Sequence, residues 1–527
     1  MVKPSAEKEY KIRMDGSILR TRISELGLPK SYHASNHSTS KGSLNWAPCD
    51  LDFPQEVQDT ITVPIDCATL KVPLDYTNPK DGRTLDLQLV KVNATQGPHK
   101  GSVIFNPGGP GASGVEEVAQ LGPMYVETLG GQYGIIGFDA RGTGHTILYT
   151  CNLTDNKSNK TTRRSTPVTT LPQEDVWNLL ESKAWHDGGI VANACYVTFK
   201  NTGHLYGTAF VARDMLQIVD ALNEDGKLRF WGRSYSTVLG QTFAAMFPNR
   251  VGRMLLDSVV LANDYFSSTW QTAIHQTDNS LNNFFSERIA AGPEKCPFAN
   301  QTGPDTTPQD LTAALGELKF NIFNGLYNPT SFTILMVQIY LAFLRDWTIY
   351  MNPTTQAHPP SWNIQKDAFH GIGCSDSTFR ANSPQEMYSL IQSQSQQGTF
   401  ADAFVPQVWV CAQWKMDAAE RYEGSWRNIS ISFPILLANS PYDPITPLSS
   451  AYEVSAGFKN SRVVVHEGHG HGVMNHRSEC TIKAIREYFA NGTLPKHGTK
   501  CKPDQTAFGA GGFEDRWWEK PVEEWLS

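Results

Sequence analysis

Between Leu228 and Thr237 the chain reads Leu-Arg-Phe-Trp-Gly-Arg-Ser-Tyr-Ser-Thr, a short apolar stretch that meets a glycine, one intervening residue, a serine and a second small residue. The pattern predicts a strand that turns sharply into a helix at Ser234. In that device the hydroxyl stands clear of the backbone, and helix-end N–H groups face any oxyanion formed beside it. Gly232 and Ser236 flank the serine because bulk there would clash. A Gly-x-Ser-x-small pattern also arises by chance in a chain of 527 residues, so its meaning rests on its surroundings.

Those surroundings come in a telling order. Gly101–Gly114 is a dense apolar run breaking into the glycine-rich loop Asn-Pro-Gly-Gly-Pro-Gly, the kind that brings backbone N–H groups to a developing negative charge. Gly109 and Tyr235 are the candidate oxyanion donors, both through their main-chain N–H. Downstream, Phe433–Pro447 is a strand ending in a Pro-Tyr-Asp-Pro turn that carries Asp443, and Arg462–Gly472 is a strand followed by histidines. Serine, acid, histidine is the chain order of α/β-hydrolases, in which each residue sits on a loop after a different strand.

Each candidate has a plainer reading. Ser234 could merely cap the following helix, and Asp443 could be a turn aspartate bonding its own backbone. Ser236, in the first turn of the expected helix, suits packing or capping better than nucleophilic attack. Asp257 and Glu467 compete with Asp443, but the first follows the strand next after the elbow and the second lies too near the histidines. His466, His469, His471 and His476 fall within one short segment. They lack the His-Glu-x-x-His spacing and helix of a zinc site, so neither metal nor cofactor is expected. Asp139 and Arg141, in a turn after a strand, are expected to hold loops together through an ion pair.

Composition narrows the class. With 45 basic against 52 acidic residues the net charge is −7, without a block of like charge that would mark a nucleic-acid surface. The longest apolar stretch, Ser331–Leu344, is shorter than the roughly 20 residues needed to span a bilayer and reads as a buried helix. Nine cysteines are scattered without Cys-x-x-Cys spacing, and eight Asn-x-Ser/Thr tripeptides occur, at Asn36, Asn93, Asn152, Asn156, Asn159, Asn300, Asn428 and Asn491. Structural disulfides and a secretory or extracellular location follow from these. Against them, the first residues are charged and show no secretory leader, so a cytoplasmic protein with reduced thiols is the alternative.

Along the chain, residues 1–45 are polar and read as an extended lead-in, with 46–261 as the first part of an α/β core. Thr84–Val92 alternates like a half-exposed strand, whereas 101–106, 133–138, 228–232 and 253–257 are dense apolar runs suited to inner strands of a mostly parallel sheet. A helix is expected over 236–247. From 262 to 428 the rhythm becomes helical and aromatic, with helices expected over 270–289, 311–323 and 331–345, a cap inserted between late strands. Residues 429–527 return to the core and extend beyond it. The tract Asn152–Thr162 reads as a surface loop.

The chain resembles the α/β-hydrolase peptidases of the tripeptidyl and prolyl aminopeptidase type, in particular secreted fungal and bacterial relatives with a distinctive C-terminal region. The residues that carry this are Cys67–Tyr76, Asn106–Gly111, Phe138–Gly144, the elbow, Phe247–Asp257, the Asp443 turn, and Asn491–Pro495 with Cys501. The resemblance implies a central parallel sheet flanked by helices, a Ser234–Asp443–His471 triad, and no cofactor. His471 is preferred because its separation from Cys480 suits the family's Gly-His pair ahead of a cysteine; His469 is the runner-up. The implied disulfides are Cys49–Cys67, Cys151–Cys195, Cys374–Cys411 and Cys480–Cys501, with Cys296 left over. Ser236 stands where the family has glycine, and Arg233 is large and charged for its place. The implied activity is removal of short peptides or single residues from free N-termini. Hydrolysis or acyl transfer on an ester, lactone or amide of a specialised metabolite is the alternative, and a non-catalytic binding protein the third reading.

Overall fold

Runs of Val, Ile, Leu and Phe without polar alternation form strands buried on both faces, and here they build the inner strands of a sheet that has ten strands among the described residues. The computed structural model describes residues 44–78, 80–144, 146–151, 176–290, 319–343, 366–400 and 406–507. The strands are β1 (Ala47–Pro48), β2 (Asp66–Pro73), β3 (Thr84–Val92), β4 (Ser102–Asn106), β5 (Gly134–Phe138), β6 (Leu228–Arg233), β7 (Val251–Asp257), β8 (Leu436–Asn439), β9 (Arg462–His466) and β10 (Lys500–Cys501). Their order is β1-β2-β3-β5-β4-β6-β7-β8-β9-β10. From β5 through β10 every pairing is parallel, whereas β1, β2 and β3 join antiparallel at one edge. β3 alternates buried and exposed residues, as its sequence predicts, while β4 and β5 are buried throughout.

The period of two divides the core. Ile104, Ile136, Phe230 and Leu256 face helices Thr208–Leu222 and Tyr235–Met246. Their neighbours Val103, Ile135, Trp231 and Leu255 face helices Gly114–Thr128 and Glu479–Asn491. Each fully buried side chain of this size contributes about 1.5–3 kcal/mol, so a one-residue slip of a strand would forfeit both layers at once.

Between β7 and β8 the described residues are helical or irregular: Ala262–Ser267, Thr277–Ala290, Lys319–Gly325, Phe332–Phe343, Lys366–Asp376, Tyr388–Ser395 and Pro406–Ala412. Tyr265, Trp270, Phe284, Phe332 and Trp409 share a third apolar cluster beneath them. Helix Val176–Phe199, which lies between β5 and β6 in the chain, joins that cluster and brings Trp185 to 6.3 Å from Trp409. The apolar Phe332–Phe343 helix packs there too, and among the described residues no helix is long and apolar enough to cross a membrane.

Two expectations need correction. The helix expected from residue 270 begins at Thr277, because the Asp264 carboxylate captures the N–H groups of Gln271 and Thr272 at 2.8 Å each and holds the preceding turn open. Arg141 does hold loops together, but its carboxylate partner is Asp214, at 2.6 Å, with the carbonyls of Pro73 and Leu74 also accepting. Asp139 serves the helix start at Gly114, accepting from Ser113 Oγ at 2.7 Å and Val115 N at 3.2 Å.

All four implied disulfides form, with Cα–Cα separations of 4.6, 4.4, 4.5 and 5.3 Å. Asn93, Asn428 and Asn491 are exposed. Cys296, the other tripeptide asparagines, residues 1–43, the 152–162 tract, 311–318 and 344–345 lie outside the described residues.

Candidate active site

The turn after β6 leaves little choice of geometry. Ser234 has φ 59° and ψ −128°, a conformation that L-residues avoid and that costs about 1–3 kcal/mol. Its N–H bonds Asp257 O at 3.0 Å, and its carbonyl accepts from Thr237 N at 2.8 Å and Thr237 Oγ1 at 2.6 Å, so both sides of the turn are fixed. The strand and helix then approach so closely that a Cβ on Gly232 would stand 2.6 Å from Ser236 O. A Cβ on Gly108 would stand 2.5 Å from Arg233 O and 2.9 Å from Tyr235 N. The glycine loop after β4 is thereby seated on the elbow.

Ser236 explains how that seating is held. Its buried hydroxyl donates to Asn106 Oδ1, which also accepts from Gly108 N at 3.2 Å, while Asn106 Nδ2 donates to Phe138 O at 3.3 Å. A glycine at 236 could not make this tie. Arg233 turns its guanidinium to Glu117, with Nη2 at 2.8 Å from Oε2, and Glu117 Oε1 accepts from the Tyr125 hydroxyl at 2.6 Å.

The loops after β8 and β9 bring the acid and one histidine together. His471 Nδ1 lies 3.0 Å from Asp443 Oδ2 and 3.1 Å from Oδ1. Asp443 is wholly buried and accepts from Ile445 N at 3.0 Å, Thr446 N at 2.9 Å and Thr446 Oγ1 at 2.6 Å. Burial pushes its carboxyl up, but the His471 ring and the Thr446 donors outweigh that and hold it below the ordinary value. With Nδ1 engaged, Nε2 is the ring nitrogen free to exchange a proton with a substrate group or a hydroxyl.

The histidine loop is clamped from several sides. His471 N donates to Tyr327 O at 2.7 Å, a carbonyl from the cap, and Asn475 Nδ2 donates to His471 O at 2.7 Å. Gly472 N donates to Ser258 Oγ at 2.8 Å and Val473 N to Asp257 Oδ1 at 3.0 Å. Asp257 is therefore a brace for this loop, its carboxyl raised by burial.

The other histidines go elsewhere. His469 points Nε2 at the cap helix Thr277–Ala290, 2.7 Å from Glu287 Oε1 and 2.9 Å from Asn283 Nδ2. His466 sits against Thr481 at 3.0 Å, and His476 against Gln505 O at 2.9 Å. Glu467 lies 3.8 Å from Lys500. Among the described residues no His, Cys, Asp and Glu group has the geometry to hold a metal ion.

One cavity of about 460 Å³ joins the parts: Gly109, Ser234, Tyr235 and His471 all line it, with Asp443 behind the imidazole. Val260, Trp270, Phe369 and Ile445 make much of its wall apolar, and its acidic members are Glu117 and Asp264. Sequence reasoning did not reach Thr446 or Tyr327. The first had a signal, since a Thr three residues after a turn aspartate is placed to donate back to it. The second acts through its main-chain carbonyl, which leaves no trace in residue type.

Residues 396–501 match the family described as TAP-like protein. Tripeptidyl aminopeptidase of Streptomyces lividans is 24% identical over 89% of this chain and 88% of its own length. Serine protease Hip1 of Mycobacterium tuberculosis is 24% identical over 87% and 91%, and Carboxylesterase B of the same species is 26% identical over 83% and 86%. The chain has the fold of the α/β-hydrolases, and the relatives named as aminopeptidase and serine protease support a serine hydrolase enzyme. Residues 396–501 carry the TAP-like C-terminal region that the sequence resemblance implies.

Proposed function

We propose that the chain is a serine exopeptidase that releases short peptides or single residues from free N-termini through an acyl-enzyme formed on Ser234. The observation that carries the chemistry is the Asp443–His471 contact at 3.0 Å, with His471 and Ser234 on the wall of one cavity. His471 Nε2 takes the Ser234 proton as Oγ attacks the peptide carbonyl, and Asp443 holds the tautomer and offsets the imidazolium charge. The Gly109 and Tyr235 N–H groups hold the oxyanion, each donor contributing about 10²–10³-fold. His471 then returns the proton to the departing amine, and water repeats the sequence in reverse to free the acid. No cofactor enters these steps. The peptide substrate is supported by the names of the aminopeptidase and protease relatives. The four disulfides support maturation in the secretory pathway.

A second reading keeps the triad and changes the substrate to an ester, lactone or amide of a small metabolite. One observation favours it: both cavity carboxylates are already engaged, Glu117 by Arg233 and Tyr125, Asp264 by the turn at 269–272. A panel of free-amine di- to tetrapeptide amides and acyl esters, run on wild type and Ser234→Ala with fluorophosphonate labelling, divides the readings. Peptide release dependent on Ser234 supports the first. Ester turnover with no release from peptides overturns it, and absence of labelling overturns both.

A further inference from the structure

The cap helix Lys366–Asp376 ends on a carboxylate held wholly inside the protein. Asp376 accepts from Thr208 N at 3.0 and 3.1 Å, from the Thr208 hydroxyl, and from the Tyr265 hydroxyl at 2.9 Å. Thr208 opens the core helix Thr208–Leu222, and the preceding N-cap position is Gly207, which has no side chain to take the first free amides. The cap carboxylate fills that place and meets the positive end of the helix.

The same threonine leads to the reaction centre. Its hydroxyl proton is committed to Asp376, so its oxygen accepts from the Tyr235 hydroxyl at 2.7 Å. The Tyr235 ring is buried and lies 5.3 Å from that of Tyr265, which shares the carboxylate. A first-turn residue held at the far end of its side chain has little freedom to swing its own N–H. A tilt of that N–H away from the substrate oxygen weakens an oxyanion donor without touching the cavity wall.

We infer that Asp376 is a positioning residue for hydrolysis: through Thr208 and the Tyr235 hydroxyl it sets the direction of the Tyr235 N–H, so that correct seating of the cap is built into transition-state stabilisation. This rests on the reading of Ser234 as nucleophile and Tyr235 as oxyanion donor. The groups facing Asp376 are Thr208, Tyr265 and, at longer range, Arg421, whose Nη2 donates to the neighbouring Ser375 O at 2.9 Å. Burial raises the Asp376 carboxyl to about 6, which leaves it the ionised acceptor at neutral pH.

The test uses the full chain and two variants, Asp376→Asn and Tyr235→Phe. An amide that keeps its carbonyl on the two hydroxyls sets its NH2 against the Thr208 N–H, whose nitrogen lies 3.0 Å from the Oδ1 place, and this pushes the end of the cap helix off the start of the core helix. The phenylalanine deletes only the last link and decides the matter if Asp376→Asn does not fold. With a short acyl ester, kcat should fall roughly tenfold, short of the 10²–10³ seen when an oxyanion donor is removed outright, and KM should stay within about twofold. Hydrogen exchange at the Thr208 and Tyr235 amides, measured in a Ser234→Ala background, should quicken in Asp376→Asn whatever the chemistry. Faster exchange with an unchanged kcat makes Asp376 a simple cap-to-core tie and overturns the inference. A fall confined to KM overturns it as well. A wild type that fluorophosphonate fails to label brings down the underlying function, and the inference with it.

Discussion

Replacing Asp443 by asparagine changes one atom, and the surroundings dictate how the amide must lie. The Oδ1 position receives two main-chain donors that cannot be reversed, Ile445 N at 3.0 Å and Thr446 N at 2.9 Å. The Oδ2 position receives the Thr446 hydroxyl, which can turn and accept. The asparagine carbonyl therefore takes the Oδ1 place and its NH2 the Oδ2 place, 3.0 Å from His471 Nδ1. The carbonyl in the Oδ1 place, 3.1 Å from Nδ1, already holds two main-chain donors, so the NH2 at 3.0 Å tips Nδ1 to accept, moves the ring proton to Nε2 and leaves no base beside Ser234. A wrong tautomer of this kind costs about 10⁴-fold in kcat in the serine protease template, which is roughly 5 kcal/mol at 1.36 kcal/mol per decade. The measurement is kcat/KM for an acyl ester and a tripeptide amide, with far-UV circular dichroism and thermal midpoint as controls on folding. A folded Asp443→Asn enzyme within tenfold of wild type would refute the assignment of Asp443 and with it the tautomer argument.

Gly108→Ala places a methyl 2.5 Å from Arg233 O at a residue with φ +101°. The loop must lift off the elbow, so turnover should drop by at least about 100-fold, as for loss of one oxyanion donor, with a stability loss of about 1–3 kcal/mol; wild-type turnover by a folded variant contradicts the seating described above. One part of the acid limb of stability comes from His466, whose ring burial lowers to about 4. Since the unfolded chain protonates this group near pH 6.5 and the native protein does not, its contribution to stability is present above that pH and is lost as pH falls towards 4. Urea unfolding of wild type and His466→Gln across this interval checks it; equal slopes in both remove His466 as the cause.

The loops that carry Ser234 and Asp443 were legible because steric rules act on residue type. A serine two residues after Gly232 and ahead of a helix has few conformations open to it, and the observed φ of 59° is the one that the pattern demands. Inner strands were legible because burial on both faces erases polar alternation. The histidine loop was readable only to the level of two candidates. Its geometry depends on Glu287 drawing His469 towards the cap, 182 residues away in sequence. The cap was hardest, for the opposite reason: Asp264 overrides helix periodicity at 270–276 with side-chain bonds that no propensity encodes. Arg141 likewise found its partner 73 residues away, at Asp214.

The Tyr327 carbonyl that receives the His471 N–H bears on how such enzymes diversify. An insertion whose only duty is shelter can be exchanged between relatives as a cassette, but this one contributes a fixed point to the loop that carries His471. A transplanted cap must deliver a carbonyl to the same spot within hydrogen-bond tolerance, or the recipient loses the register of its imidazole. The insertion is held on both sides of residue 327 as well, at Glu287 by His469 and at Asp376 by Thr208, so its length is constrained at several points rather than one.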